Sequence, residues 1–257
     1  MLGLGSSLVK GGFSLLSYVK DGLKLFMPYK KGDGALQFVG TGSTAFVEAS
    51  SQYINFGDVC NLGSTTDFTI TCWAKSTNWV NEYIIAKWYN TNNRWGMGTD
   101  GISGGRFVFT SEGSSSTGIA YTGSSLAAYE NQWVHLTIVA DRSINTKGYI
   151  NGILDDTDTG TDPDLDLDND GNLTIGFNDE GDRYFGGNIK NVAIWNRALT
   201  ATEIQNVMYK QYDEIPTSSR LTDGLVSWWA LDSSTDTYKD SHGSNDGTNS
   251  GSTLQDD

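Results

Sequence analysis

The stretch Trp133 to Leu154, WVHLTIVADRSINTKGYINGIL, decides the fold class. Val134, Leu136 and Ile138 alternate with His135 and Thr137, a period of two with one apolar face, the pattern of a half-buried antiparallel strand. A polar turn separates it from a second strand that ends at Asn151-Gly152. Outward from this hairpin the same grammar recurs between Ala35 and about Asn196, in ALQFVG, YINFG, DFTITCWA, EYIIAKWY, RWGMG, GRFVFTS, TGIAYTG, LTIGF and NIKNVAIWN, set apart by Gly, Asn, Asp and Ser clusters. In DFTITCWAK, Phe68, Ile70 and Cys72 alternate with Thr69, Thr71 and Trp73. Many short strands at even spacing predict an all-β, antiparallel two-sheet sandwich. A single short surface helix is predicted at ALTATEIQNVMYKQY, where Thr200 and Glu203 form a capping box and Ile204, Val207 and Met208 an apolar stripe that packs on the sandwich.

Composition narrows the function. A formal charge of −14 over 257 residues, with a pI near 4.4, argues against nucleic acid as a partner, because nothing would neutralise phosphates. Two cysteines, with neither a CxxC nor a Cys/His cluster, exclude a disulfide framework and a structural zinc site. Cys72 falls on the inward face of its strand, so Cys60 and Cys72 are expected as buried free thiols rather than a bridge. No apolar run reaches the length of a membrane span. The N-terminal MLGLGSSLVKGGFSLLSYV, interrupted by Gly and Ser and carrying Lys10, reads as retained rather than as a signal peptide.

Charge is uneven. Residues 1 to 31 hold five lysines (Lys10, Lys20, Lys24, Lys30, Lys31) against Asp21, about +4, which leaves about −18 on the remainder. The arm is either simply solvated or docks on an acidic neighbour such as a second copy of this body. Asp21-Gly22-Leu23-Lys24-Leu25-Phe26-Met27-Pro28-Tyr29 is echoed by Asp223-Gly224-Leu225-Val226-Ser227-Trp228-Trp229-Ala230-Leu231. The expected organisation is a basic arm over 1–34, one sandwich domain over 35–214, and a linker plus a strand segment over 215–257. That last strand must fold back on its own body, add to another subunit, or stay mobile, for which the polar tail DSHGSNDGTNSGSTLQDD is suited.

Three segments in order carry a resemblance. The hairpin above is the first. The second is LTIGFNDEGDRYFGGNIKNVAIWNRALTATEIQ, with its Gly-Gly-Asn-Ile strand start and Asn-Arg-Ala-Leu exit into a capped helix. The third is LVSWWALDSSTDTYKDSHGSNDGTNSG, a Trp-rich strand followed by an Asp-Ser-x-Gly-x-x-Asp-Gly-Thr loop. Together they resemble the laminin-G-like jelly rolls of the concanavalin A-like lectin and glucanase group, over roughly residues 35 to 210. The LGLGSSLVKGG arm and the truncated second copy resemble a narrower set, the laminin-G-like structural proteins of tailed bacteriophages. That resemblance implies a non-enzymatic virion component of capsid-decoration, head or tail-fibre type, assembled in the host cytoplasm. It would be fastened through its terminal segments to other virion proteins and to itself as a homo-oligomer. The alternative is a carbohydrate-binding, lectin-like adhesion module that meets cell-surface glycans.

Candidate sites follow from residue chemistry. Glucanases of the resembled group carry Glu-x-Asp-x-x-Glu on one strand; here Glu180-Gly181-Asp182 is followed by Phe185 where the last Glu belongs, so no catalytic residue is assigned. His135 and His242 stand beside no nucleophile turn. Between Asp155 and Asp182 there are ten Asp, one Glu and no Lys or Arg. Asp166, Asp168 and Asp170 match the first half of a calcium loop, but its twelfth position is Phe177. Those three with Asp179 and Asp182 are the metal candidates, for calcium, against a plain solvated loop. The resembled group's Phe-Asp-Gly-x-x-Asp-Tyr segment reads Phe46-Val47-Glu48-Ala49-Ser50-Ser51-Gln52-Tyr53, without the expected carboxylates. Around Tyr83, the residues Trp79, Trp88, Tyr89, Arg94 and Trp95 form either a glycan or partner platform, or core and interface anchors.

Overall fold

A computed structural model describes residues 42–90, 93–102, 104–112, 117–158, 166–178, 183–232 and 238–256. The predicted arm, residues 1–34, lies outside them. In chain order the strands are β1 (Gly42–Phe46), β2 (Tyr53–Asn55), β3 (Phe68–Ser76), β4 (Tyr83–Asn90), β5 (Asn93–Thr99), β6 (Arg106–Glu112), β7 (Thr117–Ser125), β8 (Val134–Asp141), β9 (Asn145–Ile150), β10 (Ile153–Asp158), β11 (Asn172–Ile175), β12 (Phe177–Asn178), β13 (Arg183–Tyr184) and β14 (Gly187–Trp195). Helix α1 (Ala201–Val207) follows, then β15 (Leu225–Trp229), β16 (Thr248–Ser250) and β17 (Thr253–Asp256).

These strands build two antiparallel sheets, the sandwich read from the sequence. One runs β10-β9-β8-β3-β14, with the far side of β14 shared end to end by β1 and β15, and β17 outside β1. The other runs β16-β2-β11-β4-β5-β6-β7. Between them lies a core to which one sheet sends Ile70, Cys72, Leu136, Ile138 and Trp229, and the other Ile54, Ile85, Trp95, Met97 and Phe109. The Asn151-Gly152 turn joins β9 to β10 with both residues at positive φ, as a two-residue hairpin whose twist matches its strands requires. Asp155 of β10 accepts hydrogen bonds from the Tyr121 hydroxyl at 2.7 Å and the Ser124 N–H at 2.8 Å, which ties the edges of the two sheets together.

The strands expected to be half-buried are buried on both faces, and the reason is a second core. Val139, Tyr149, Trp195 and Trp228 on the outer face of the β3/β8/β14 sheet meet Ile204 and Val207 of α1 and Leu221 beyond it. Thr69 joins the layers, donating from Oγ1 to the Arg197 carbonyl and accepting the Leu199 N–H. Trp73 Nε1 donates to the Met208 carbonyl at 2.8 Å. The capping box is present: Thr200 Oγ1 accepts the Glu203 N–H while the Glu203 carboxylate accepts the Thr200 N–H.

The described residues of the C-terminal segment, 215–232 and 238–256, fold back on their own body. Ile215 and Leu221 enter the second core, β15 extends one sheet beside β14, β16 pairs β2 in the other, and β17 pairs β1. The polar tail suited to mobility supplies two strands instead, because β1 and β2 each present an otherwise open edge to it. Both cysteines are free and buried, and burial pushes the Cys60 thiol up to about 11. Among the described residues no helix is long and apolar enough to cross a membrane.

Candidate functional site

The outer face of the seven-stranded sheet follows from its register. Ile54, Leu173, Ile175, Ile85, Trp95 and Met97 point into the core, so residues of the opposite parity point out. One outward row crosses the strands as Asn172, Trp88, Arg94 and Glu112. The next runs Thr248, Asn55, Thr174, Ala86, Gly96 and Thr110. Beyond it, Ser250 is paired with Tyr53, and Tyr83 with Gly98.

At the middle of this face Tyr83, Ala86 and Trp88 make a small apolar cluster of their own. Tyr83 meets Trp88 edge-on at 6.1 Å and lies across β5, where a Cβ on Gly96 would stand 2.7 Å from its ring, so only glycine admits it. Two arginines cap the cluster. The Arg94 guanidinium lies 4.3 Å over the Trp88 ring and pairs with Glu112 at 2.8 Å, and Arg183 stands 6.0 Å over Tyr83. Trp88 is left only 9% exposed.

The five aromatic and basic candidates therefore separate. Trp88 and Arg94 stand together on the outer face and Tyr89 is exposed at the end of β4. Trp79 and Trp95, 1% and 0% exposed, belong to the core, Trp79 against Phe185 and Trp95 against Phe109, so neither ring offers a face to a ligand. Strand parity in Arg94-Trp95-Gly96-Met97-Gly98 is the signal that divides Arg94 from Trp95.

An open cleft of about 540 Å³ lies at the β16 edge of this sheet. Its lining comes from β2 and the residues after it (Tyr53, Asn55, Phe56, Gly57), from β11 (Asn172), and from the C-terminal segment (Asp246, Thr248, Asn249, Ser250). Tyr53 packs at 5.1 Å against Phe177, which stacks on Tyr184 at 4.5 Å, so an aromatic ladder leads away from the cleft across the face. Asn249 is held by its own hairpin, its Oδ1 accepting from the Ser252 N–H and hydroxyl and its Nδ2 donating to the Ser252 carbonyl. None of these lining residues stands among the sequence candidates, because they come together only when β16 from the far end of the chain pairs with β2.

The loop before β16 is built on a buried carboxylate. Asp240 Oδ1 accepts the N–H groups of Trp228 and His242, each at 3.0 Å, and Oδ2 that of Asn245 at 3.2 Å. Its own N–H donates to Asp246 Oδ1 at 2.9 Å, and the Asn245 carbonyl accepts from Trp229 Nε1 at 2.7 Å. This is the Asp-Ser-x-Gly-x-x-Asp-Gly-Thr motif, closed on itself.

The acidic candidates are arranged otherwise. Asp166 Oδ1 accepts the Asp168 N–H and Asp168 Oδ1 the Gly63 N–H, so both carboxylates brace turns ahead of β11, and Asp170 is exposed beside them. Among the described residues no three His, Cys, Asp or Glu side chains gather as a metal site would require. Asp179, Glu180 and Asp182 lie outside the described residues, and Phe185, in the place of the missing Glu, is a core residue. His135 is buried against Trp73 at 5.1 Å, and burial lowers its imidazole to about 3. His242 meets the Tyr212 hydroxyl at 3.1 Å.

Residues 48–205, more than half of the sequence, match the family profile described as the Concanavalin A-like lectin/glucanases superfamily. The chain belongs to this superfamily. Among solved structures it is similar to a candidate carbohydrate binding protein from Bacteroides ovatus, with 20% identity and a TM-score of 0.60 over 84% of this chain and 60% of that one. The chain thus spans three fifths of that protein's length. It is also similar to a heptameric SAP-like pentraxin from Limulus polyphemus, at 17% identity and TM-score 0.49 over 65% of this chain and 82% of that one. Domain 4 of an extracellular arabinanase from Geobacillus stearothermophilus, solved with arabinotriose, shares 22% identity and a TM-score of 0.45 over 56% of this chain and 67% of that one. No curated protein matches the sequence.

Proposed function

We propose that this chain is a non-enzymatic carbohydrate-binding module whose ligand lies in the β16-edge cleft and along the outer face beside it. The cleft carries the reading: the half-buried ring of Tyr53 stands beside a rim of Asn55, Asn172, Asp246, Thr248 and Asn249, while Phe56 beneath them belongs to the core. A sugar ring has apolar C–H faces and a girdle of hydroxyls, and a site with a few polar groups beside an aromatic ring answers both. Membership of the lectin/glucanase superfamily and the similarity to the Bacteroides ovatus protein support this reading.

The test is a glycan array probed with the purified chain, followed by calorimetric titration of the best oligosaccharide. Tyr53→Ala and Asn172→Ala are each expected to weaken binding about tenfold, the loss of roughly 1.4 kcal/mol. An array without signal, or variants that bind as well as the parent, would overturn it. The virion-component reading rests on the N-terminal arm and the Asp21–Tyr29 echo, outside the described residues, and no feature of the cleft calls for it.

A further inference from the structure

Resting on that reading, we infer that the ligand is a neutral glycan read by Asp246 through its hydroxyls, and that acidic sugars are rejected at the same point. Among the described residues the cleft lining contains one carboxylate, Asp246, and no lysine or arginine. Asp246 is exposed, and among the described residues only its Oδ1 is engaged, by the Asp240 N–H. Oδ2 is left as a charged acceptor, the group that pairs strongly with sugar hydroxyl donors and repels a sugar carboxylate. Arg94, the nearest cation along the outward row from Asn172, is committed to Glu112 and to the Trp88 ring, and the chain as a whole carries −14. An anionic ligand would meet no counter-charge in this lining.

Asp246 is also held in place before any ligand arrives. Asp240 gathers three backbone N–H groups around its buried carboxylate and donates its own N–H to Asp246, while Asn245 is tied on both sides, its carbonyl to Trp229 Nε1 and its Nδ2 to Ser227 Oγ at 2.7 Å. A preformed acceptor loses little freedom on binding, so the carboxylate can discriminate rather than merely adapt. Asp240 acts here as a positioning residue, since it touches the loop and not the cleft.

The experiment compares matched neutral and acidic oligosaccharides, lactose with 3′-sialyllactose and xylotriose with trigalacturonic acid, within a wider array, on the full chain and on Asp246→Ala and Asp246→Asn. The asparagine variant keeps the acceptor for the Asp240 N–H and so separates lost recognition from a disturbed loop. The full chain is expected to bind neutral members only. Asp246→Ala is expected to lose tenfold or more, and Asp246→Asn severalfold, with Tm unchanged in the asparagine variant and acidic members newly admitted. Preference of the full chain for acidic glycans, or an Asp246→Ala variant that binds neutral glycans unchanged, would overturn the inference while leaving carbohydrate binding standing. Absence of binding to any glycan would overturn the module reading itself.

Discussion

Glu82 is a carboxyl just before β4, 3% exposed, whose Oε1 accepts the Gly186 N–H at 2.9 Å while Oε2 has no partner among the described residues. Burial pushes its pKa up to about 8; the hydrogen bond from the Gly186 N–H acts against that, and the nearby Glu48 charge adds to it. The folded chain therefore holds Glu82 protonated where the unfolded chain, near 4.5, has released the proton. The stabilisation is full below about 4.5 and is lost as pH rises through about 8. The difference in unfolding free energy between the parent and Glu82→Gln, measured by denaturant titration, is expected to fall by a few kcal/mol from pH 5 to pH 9, a difference in which the opposite contribution of buried His135 cancels. Parallel pH profiles for the two proteins would show that Glu82 ionises normally.

At the scale of elements, the C-terminal strands complete both sheets. Trp228 sits in the outer core and Trp229 in the inner one, adjacent residues of β15 on opposite faces, and Trp229 packs tilted against Phe56 at 4.5 Å. Truncating either to alanine is expected to cost about 3–5 kcal/mol. Removal of residues 223–257 takes away β15, β16 and β17, opens the edges of β14, β2 and β1, and uncovers apolar surface in both cores. The shortened chain is expected to aggregate or stay unfolded. A soluble product with native circular dichroism and a Tm within about 5 °C of the parent would show these strands to be dispensable.

Over the whole molecule, the same ties argue for one cooperative unit. The described residues between 42 and 256 cluster as a single body, the Asp155 clamp joins the two sheets at one edge, and β15, β16 and β17 between them serve both sheets. Trp73 and Trp195 report on the helix-covered face, and Trp79 and Trp95 on the inner core. Tryptophan fluorescence and far-ultraviolet circular dichroism are expected to give coincident unfolding transitions. Separated midpoints would mean that the helix layer melts apart from the sandwich.

What the sequence determined by itself is what depends on neighbours along the chain. Period-two alternation in Trp133–Leu154 and Phe68–Trp73 set strand and face, and so placed Cys72 inside; Thr200 and Glu203 set the helix start. Both rest on local geometry, the pleat of a strand and the unpaired N–H groups of a first turn. The same parity already held the division of Trp88 from Trp95, although crowding along the chain left platform and core anchor open for the whole group. Tertiary structure alone decided that β3 is buried on both faces, because the cover comes from 201–221, and that the C-terminal segment closes its own sandwich. It alone made the cleft: Tyr53, Asn172 and Asp246 share no local pattern, and meet only because β2 is flanked by β11 on one side and β16 on the other. Strand pairing is a contest among all open edges of a folded chain, and a local reading cannot see which edge wins.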